Sequence, residues 1–225
     1  MPLLVLEGLD GAGKSTQVKL LTNYFKNKAK EVFFLHFPRL DTPFFGELIA
    51  DFLRGDFGEI HNVHPKLVAS LYAGDRWSAS KEIENYLKKD FVVILDRYVY
   101  SNLAYQCAKL HTIQEKESLR NWILKFEFEF YKIPRPDINI FLDVPIEFVE
   151  QKLKQHRDGE DRQYLKGKTD IHEQNIQFQI KVRDEYLYLC KNSDLIYLNC
   201  SENNKIATPE IVFNKIINII ENKIF

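Results

Sequence analysis

With 225 residues, 45% of them hydrophobic, the chain can bury one substantial core, most simply as a single domain over residues 1–225. Its 31 basic and 32 acidic residues leave a net charge of -1, which excludes an overall basic field for nucleic acid or an anionic membrane. Cys107, Cys190 and Cys200 are scattered with no C-x-x-C, so a disulfide framework or zinc site is not expected, and reduced thiols in a cytoplasmic protein are. No apolar run approaches a membrane span, and the four-residue run near the N-terminus is too short for a secretory signal.

Leu3-Leu4-Val5-Leu6 reads as a short buried strand. After Glu7 comes Gly8-Leu9-Asp10-Gly11-Ala12-Gly13-Lys14-Ser15-Thr16, which fits G-x-x-x-x-G-K-[ST], the phosphate-binding loop of ATP- and GTP-binding proteins. Glycines let the backbone turn and bring its N–H groups against phosphate oxygens, and the following helix aims its N-terminus at the anion. Lys14 is expected to reach the terminal phosphates, and the Ser15 hydroxyl to face Mg²⁺.

Gln17 to Lys28 then reads as a helix, Glu31 to His36 as a second strand ending in Phe37-Pro38-Arg39, and Phe44 to Leu53 as a helix stopped near Gly55. A long helical pattern runs from Pro65 to Lys88. Phe91 to Leu95 is a continuous apolar run suited to a central strand, and Asp96-Arg97-Tyr98 closes it. Val99 to Ala108 and Gln114 to Tyr131 read as helices, Asp137 to Asp143 as a fourth strand, and Pro145 opens another helix. A charged stretch from Gln155 to Lys168 precedes a helix over Ile171 to Cys190, a fifth strand at Leu195 to Leu198 and a last helix at Pro209 to Ile220. Strands alternating with helices imply a three-layer α/β/α fold around a five-stranded parallel sheet. Right-handed crossovers then bring the strand ends, and the motifs on them, to one edge.

Residue chemistry alone leaves alternatives open. Asp96 suits a Mg²⁺ ligand, directly or through water, and equally a strand-end cap. Arg97 suits a phosphate clamp or a surface ion pair. Tyr72 and Arg76, at i and i+4, could grip a flat base or be a core tyrosine beside a surface arginine.

The sequence resembles thymidylate kinases over most of its length. The match begins in the loop and passes through Phe37-Pro38-Arg39 and Leu71-Tyr72-Ala73-Gly74-Asp75-Arg76-Trp77. It is strongest at Asp96-Arg97-Tyr98-Val99-Tyr100-Ser101-Asn102-Leu103-Ala104-Tyr105, and extends to Phe178-Gln179, Val182-Arg183 and Tyr186. The resemblance implies a P-loop nucleoside monophosphate kinase that moves the γ-phosphoryl of ATP to dTMP with Mg²⁺, works as a homodimer and carries a short lid at about 154–170. It implies that Asp10 accepts a hydrogen bond from the sugar 3′-hydroxyl, and that Arg39 and Arg97 hold the acceptor phosphate, with Phe37 beside them. Tyr72 would stack on thymine, Arg76 reach its O4, and Asn102 read the N3 edge with Gln106 as a neighbour. Tyr105 would pack beside C2′ and disfavour a ribose hydroxyl.

Some relatives place an arginine where this chain has Gly11; those with glycine draw transition-state charge from lid arginines. Arg157 and Arg162 are the candidates here. His172 occupies a place where the family often has an aromatic, and Glu173 keeps the acid after it. The stretch from Asn199 to Ile206 is the expected adenine wall. A GTPase-like switch would need N-K-x-D and a D-x-x-G beyond Asp10–Gly13, and neither occurs. With Lys14, Ser15, Asp96 and Arg97 all present, a catalytically dead binding module is disfavoured.

Overall fold

A computed structural model describes residues 1–60, 62–154, 160–168, 170–172, 175–203 and 205–224. Five parallel strands form the centre: β1 (Leu3–Glu7), β2 (Val32–His36), β3 (Val92–Asp96), β4 (Ile138–Asp143) and β5 (Leu195–Asn199), in the order β2-β3-β1-β4-β5. Every residue of β1, β3 and β4 is buried, which is why these strands read as unbroken apolar runs. The edge strand β2 alternates half-buried with exposed positions. From β1 the chain crosses to β2 on one side, and β3 leads over to β4 on the other. The crevice where strand order reverses therefore lies at the C-terminal ends of β1 and β3, where α/β sheets bind ligands.

The helices are α1 (Lys14–Asn27), α2 (Phe45–Leu53), α3 (Pro65–Lys88), α4 (Val99–Cys107), α5 (Ile113–Lys125), α6 (Ile146–Lys154), α7 (Ile176–Asn192) and α8 (Pro209–Ile224). Their starts follow local chemistry. Pro65 occupies the first turn of α3, and the His64 side chain accepts from Lys66 N–H. Thr112 and Glu115 form a reciprocal capping box on α5. Asn175 accepts from Gln177 and Phe178 N–H at the start of α7. Helix α7 therefore begins at Ile176, not at the expected Ile171, because the Asn175 cap fixes the start and 170–172 forms a separate turn. The expected helix to Tyr131 also changes character: α5 ends at Lys125, and Phe126–Phe130 continues as a π-helical turn that buries Glu127. A short hairpin, β6 (Ser201–Glu202) with β7 (Lys205–Ile206), was not expected.

The main core lies on both sheet faces, and all nine residues of α4 are buried. A smaller core of Ile49, Phe52, Leu53 and Val68 joins α2 to α3, with Tyr72, Tyr164 and Ile171 packed against it. Ile171 N–H donates to Leu53 carbonyl at 3.0 Å, so the segment beyond the lid rests on α2.

Candidate active site at the crossover of the sheet

The loop after β1 is shaped for close approach. Gly13 has φ +80, open to glycine at no steric cost, and it leads directly into α1. A Cβ at Gly8 would lie 3.2 Å from the Leu142 carbonyl oxygen, tighter than ordinary contact, so the loop packs closely against β4. Lys14 is buried and donates to the carbonyls of Leu9 at 2.9 Å and Gly8 at 3.3 Å. Burial, reinforced by the like charge of Arg97, draws its pKa down to about 8 against the pull of Asp96, Asp10 and Glu7. Ser15 and Thr16 stand exposed in the first turn of α1.

Beside the loop, β3 ends at Asp96. One carboxylate oxygen lies 3.2 Å from His36 Nδ1 at the end of β2; the other, Oδ1, is buried with no hydrogen-bond partner among the described residues. Burial would raise this carboxyl, but Lys14 and the contact with His36 outweigh it and hold the pKa below the ordinary value. Asp96 is thus a strand-end anion with one oxygen left over, which exceeds what a cap requires. Among the described residues no group of three or more His, Cys, Asp or Glu side chains could hold a metal by itself. A hydroxyl and one carboxylate oxygen suit an ion that takes its other ligands from phosphate and water.

Arg97 follows with φ +68, and its guanidinium turns back over the loop. It donates to Asp10 at 2.7 Å, to Ser101 Oγ at 3.2 Å and to Tyr105 OH at 3.4 Å. Tyr105 OH donates to the other Asp10 oxygen at 2.8 Å, and Gln179 Nε2 lies 3.4 Å from it. Burial alone would push Asp10 up; Arg97 and Lys14 reverse this and leave it well below the usual carboxylate range. Glu7, fully buried at the end of β1, accepts from Tyr98 N–H at 2.9 Å, Ser101 N–H at 3.2 Å, Tyr186 OH at 3.0 Å and Ser101 Oγ. An acid at the N-terminus of α4 suits the helix dipole, and it ties the root of Arg97 to the phosphate loop.

Asp10, Lys14, Ser15, Asp96, Arg97, Ser101 and Tyr105 line one cleft of about 1230 Å³ together with Phe37, Arg39, Tyr72, Arg76, Asn102 and Gln106. Arg39 is drawn to α3: its Nε and backbone N–H both reach Asp75 at 2.9 Å, and its Nη2 reaches the Asp75 carbonyl at 2.8 Å and Ser78 Oγ. Phe37 is buried beneath it, with the guanidinium carbon 5.7 Å from the ring centre. Arg76 is buried rather than on the surface, paired with Glu127 through Nε at 2.5 Å and Nη2 at 2.7 Å. Asn102 donates to Glu127 at 3.0 Å and to the Ala69 carbonyl at 3.1 Å. The Gln106 carbonyl accepts from Lys109 Nζ at 2.8 Å. The far wall carries Lys152, Tyr164, Asp170 and His172. His172 packs its ring 5.2 Å from Tyr105 and 5.5 Å from Phe178. Burial, then Lys109, holds its pKa well below the ordinary value.

Arg157 and Glu173 lie outside the described residues, and Arg162 falls on the 3₁₀ turn Glu160–Leu165 with its side chain outside the described set. Sequence reasoning missed Glu7, His36, Lys109, Glu127 and Gln179. Glu7 did carry a signal, an acid closing an otherwise apolar strand. Glu127 carried none, since Phe-Glu-Phe-Glu-Phe reads as an ordinary alternation.

The family model described as thymidylate kinase matches residues 6–211. A thymidylate kinase of Mycobacterium tuberculosis is 35% identical over 152 residues, 68% of this chain and 70% of that protein. A probable thymidylate kinase of Thermococcus kodakarensis is 34% identical over 223 residues, 97% of this chain and 96% of its own length. Among solved structures, the thymidylate kinase of Candida albicans superposes with a TM-score of 0.71 at 26% identity, covering 98% of this chain and 91% of that one. The phosphate loop and the cleft lined by Arg39, Arg76 and Arg97 on this five-stranded sheet agree with those matches, and the chain belongs to the thymidylate kinase family.

Proposed function

We propose that this enzyme transfers the γ-phosphoryl group of ATP to dTMP, giving dTDP and ADP. The observation that carries the reading is the position of Asp10. It is part of the phosphate loop, and it is also bonded to Arg97 and Tyr105 on the acceptor side of the cleft. Donor phosphates on the loop and a nucleotide bonded to Asp10 would therefore meet in one water-poor space.

The backbone N–H groups of the loop and Lys14 take the β- and γ-phosphates, and adenine falls toward the hairpin at Ser201–Ile206. Ser15 and Asp96 fit Mg²⁺, the unpartnered Asp96 oxygen supplying the ligand atom; the ion would draw off charge that builds on the phosphate oxygens. Arg97 and Arg39 neutralise the acceptor phosphate and hold one of its oxygens in line with the γ-phosphorus. That oxygen is already an anion, so attack needs no general base: the new O–P bond forms as the bond to the β-phosphate bridge breaks. Asp10 takes the 3′-hydroxyl, Tyr105 crowds C2′, and Tyr72 stacks on the base. Arg157 and Arg162 on the lid supply positive charge that a loop with Gly11 does not. The lid also keeps out water, whose attack would waste ATP.

Two further features belong to this reading. Leu67 and Trp77 on α3 and Phe130 in the π-helical turn are exposed apolar side chains, suited to contact with a second copy of the chain. Three free cysteines suit a reducing, cytoplasmic setting, and no described helix is long and apolar enough to cross a membrane.

The test is ADP release measured across all common nucleoside monophosphates. The expected result is fastest turnover with dTMP; no turnover with dTMP, or faster turnover with another acceptor, would refute the proposal.

A further inference from the structure

We propose that Glu127, which does not line the cleft, is the positioning residue that decides which base edge the acceptor pocket accepts. The proposal rests on reading this pocket as the base site.

Glu127 has no exposed surface, and the π-helical turn places it behind the pocket wall. A carboxylate only accepts hydrogen bonds. Its Oε1 receives Arg76 Nη2 at 2.7 Å and Asn102 Nδ2 at 3.0 Å, and its Oε2 receives Arg76 Nε at 2.5 Å. The second Asn102 amide hydrogen goes to the Ala69 carbonyl at 3.1 Å, another pure acceptor. Chemistry therefore fixes the orientation of the Asn102 amide, because turning it over would set its oxygen against two oxygens.

What remains is the Asn102 carbonyl oxygen, buried and with no partner among the described residues. Arg76 has spent Nε and Nη2 on Glu127, and its Nη1 has only a long 3.4 Å contact to the Tyr98 carbonyl. The wall thus offers one acceptor from Asn102 and one donor group from Arg76, both on residues that line the cleft. That pair complements a ring edge with N–H beside C=O, the N3–O4 edge of thymine or uracil. It mismatches cytosine, where a bare nitrogen sits beside an amino group. One hidden carboxylate sets both halves of the pattern.

The test is Glu127→Gln in the full chain, with kcat and KM measured for dTMP, dUMP and dCMP. A glutamine must aim its own NH₂ at an Arg76 N–H whichever oxygen it replaces, and at the Asn102 NH₂ as well if it replaces Oε1, so the pattern is lost. The preference for dTMP over dCMP should fall at least about tenfold, chiefly through higher KM for dTMP and dUMP. The dTMP-to-dUMP ratio should hold, since Glu127 plays no part in reading the methyl group. An equal loss for all three acceptors would mean that Glu127 only supports the fold, and would overturn the proposal. If Glu127→Gln melts below the assay temperature, Glu127→Asp keeps the anion beside Arg76 but is one methylene short of serving both groups. An unchanged dTMP-to-dCMP ratio in that variant overturns the proposal equally. A wild-type enzyme that uses dCMP as readily as dTMP would defeat the base-site reading itself, before any variant is made.

Discussion

Replacing Asp10 by asparagine isolates the charge at the junction of the two nucleotides. The shape is kept; what is lost is the anion facing Arg97 at 2.7 Å and accepting from Tyr105 at 2.8 Å. Arg97 then keeps Ser101 Oγ and Tyr105 OH and the more distant Asp96 and Glu7, but loses the one carboxylate that touches its guanidinium among the described residues. Removing one partner of a buried pair costs about 3–5 kcal/mol. The asparagine oxygen still accepts one bond and the Asp10 side chain is 24% exposed, so about 2–3 kcal/mol is expected. For a chain of this size that lowers Tm by roughly 4–12 °C. The sign of the pH dependence follows from the depressed Asp10 pKa. A carboxyl of that kind contributes its stability above its unfolded value and loses it only as pH falls through the native one. The gap between wild type and Asp10→Asn, read by scanning calorimetry, should therefore stay flat between about pH 8 and pH 5. In steady-state kinetics, KM for dTMP should rise about tenfold or more, while the 3′-deoxy analogue of dTMP loses far less. A Tm within about 1 °C of wild type, or equal losses for both acceptors, would mean that the Asp10 charge does not hold Arg97 and the 3′-hydroxyl.

Tyr105 should separate into two roles: Tyr105→Phe keeps the ring and preserves dTMP-over-ribonucleotide discrimination while losing affinity with its bond to Asp10, whereas Tyr105→Ala loses the discrimination. An unchanged ratio in Tyr105→Ala would remove the steric role. For the lid, Arg157→Ala or Arg162→Ala should lower kcat far more than it raises dTMP KM, and near-normal kcat in both would place the source of positive charge elsewhere. Lys109 offers a stability test. Burial between Gln106, the Phe52 ring and His172 draws its pKa from 10.5 to about 7. The unfolded chain then holds more protons between those values, so wild-type stability should rise with pH there. Relative to Lys109→Met, wild type should gain roughly 2 kcal/mol between about pH 7 and pH 9 in urea unfolding. A constant difference between the two proteins would contradict the depressed value.

The sheet was legible because its central strands are buried on both faces and so consist of unbroken apolar runs, as at Val92–Asp96. The phosphate loop was legible because its chemistry needs fixed residue types at fixed spacing. Helix ends were less so: the Asn175 cap lies inside an apolar-periodic stretch, and the π-helical turn after Lys125 keeps the helical pattern while shifting which side chains face inward. Residues that act from behind the site, such as Glu127 and Lys109, look like surface charges in sequence. Only packing reveals that they are buried with partners.

The central claim is that one cleft holds donor and acceptor nucleotides end to end across Asp10. Titration calorimetry with a bisubstrate ligand, adenosine joined to thymidine through a chain of five phosphates, tests it most directly. One such ligand per chain is expected to bind, displaced by ATP and by dTMP alike, with much weaker binding to Asp10→Asn. Displacement by only one of the two nucleotides, or simultaneous binding of dTMP alongside the bisubstrate ligand, would contradict it.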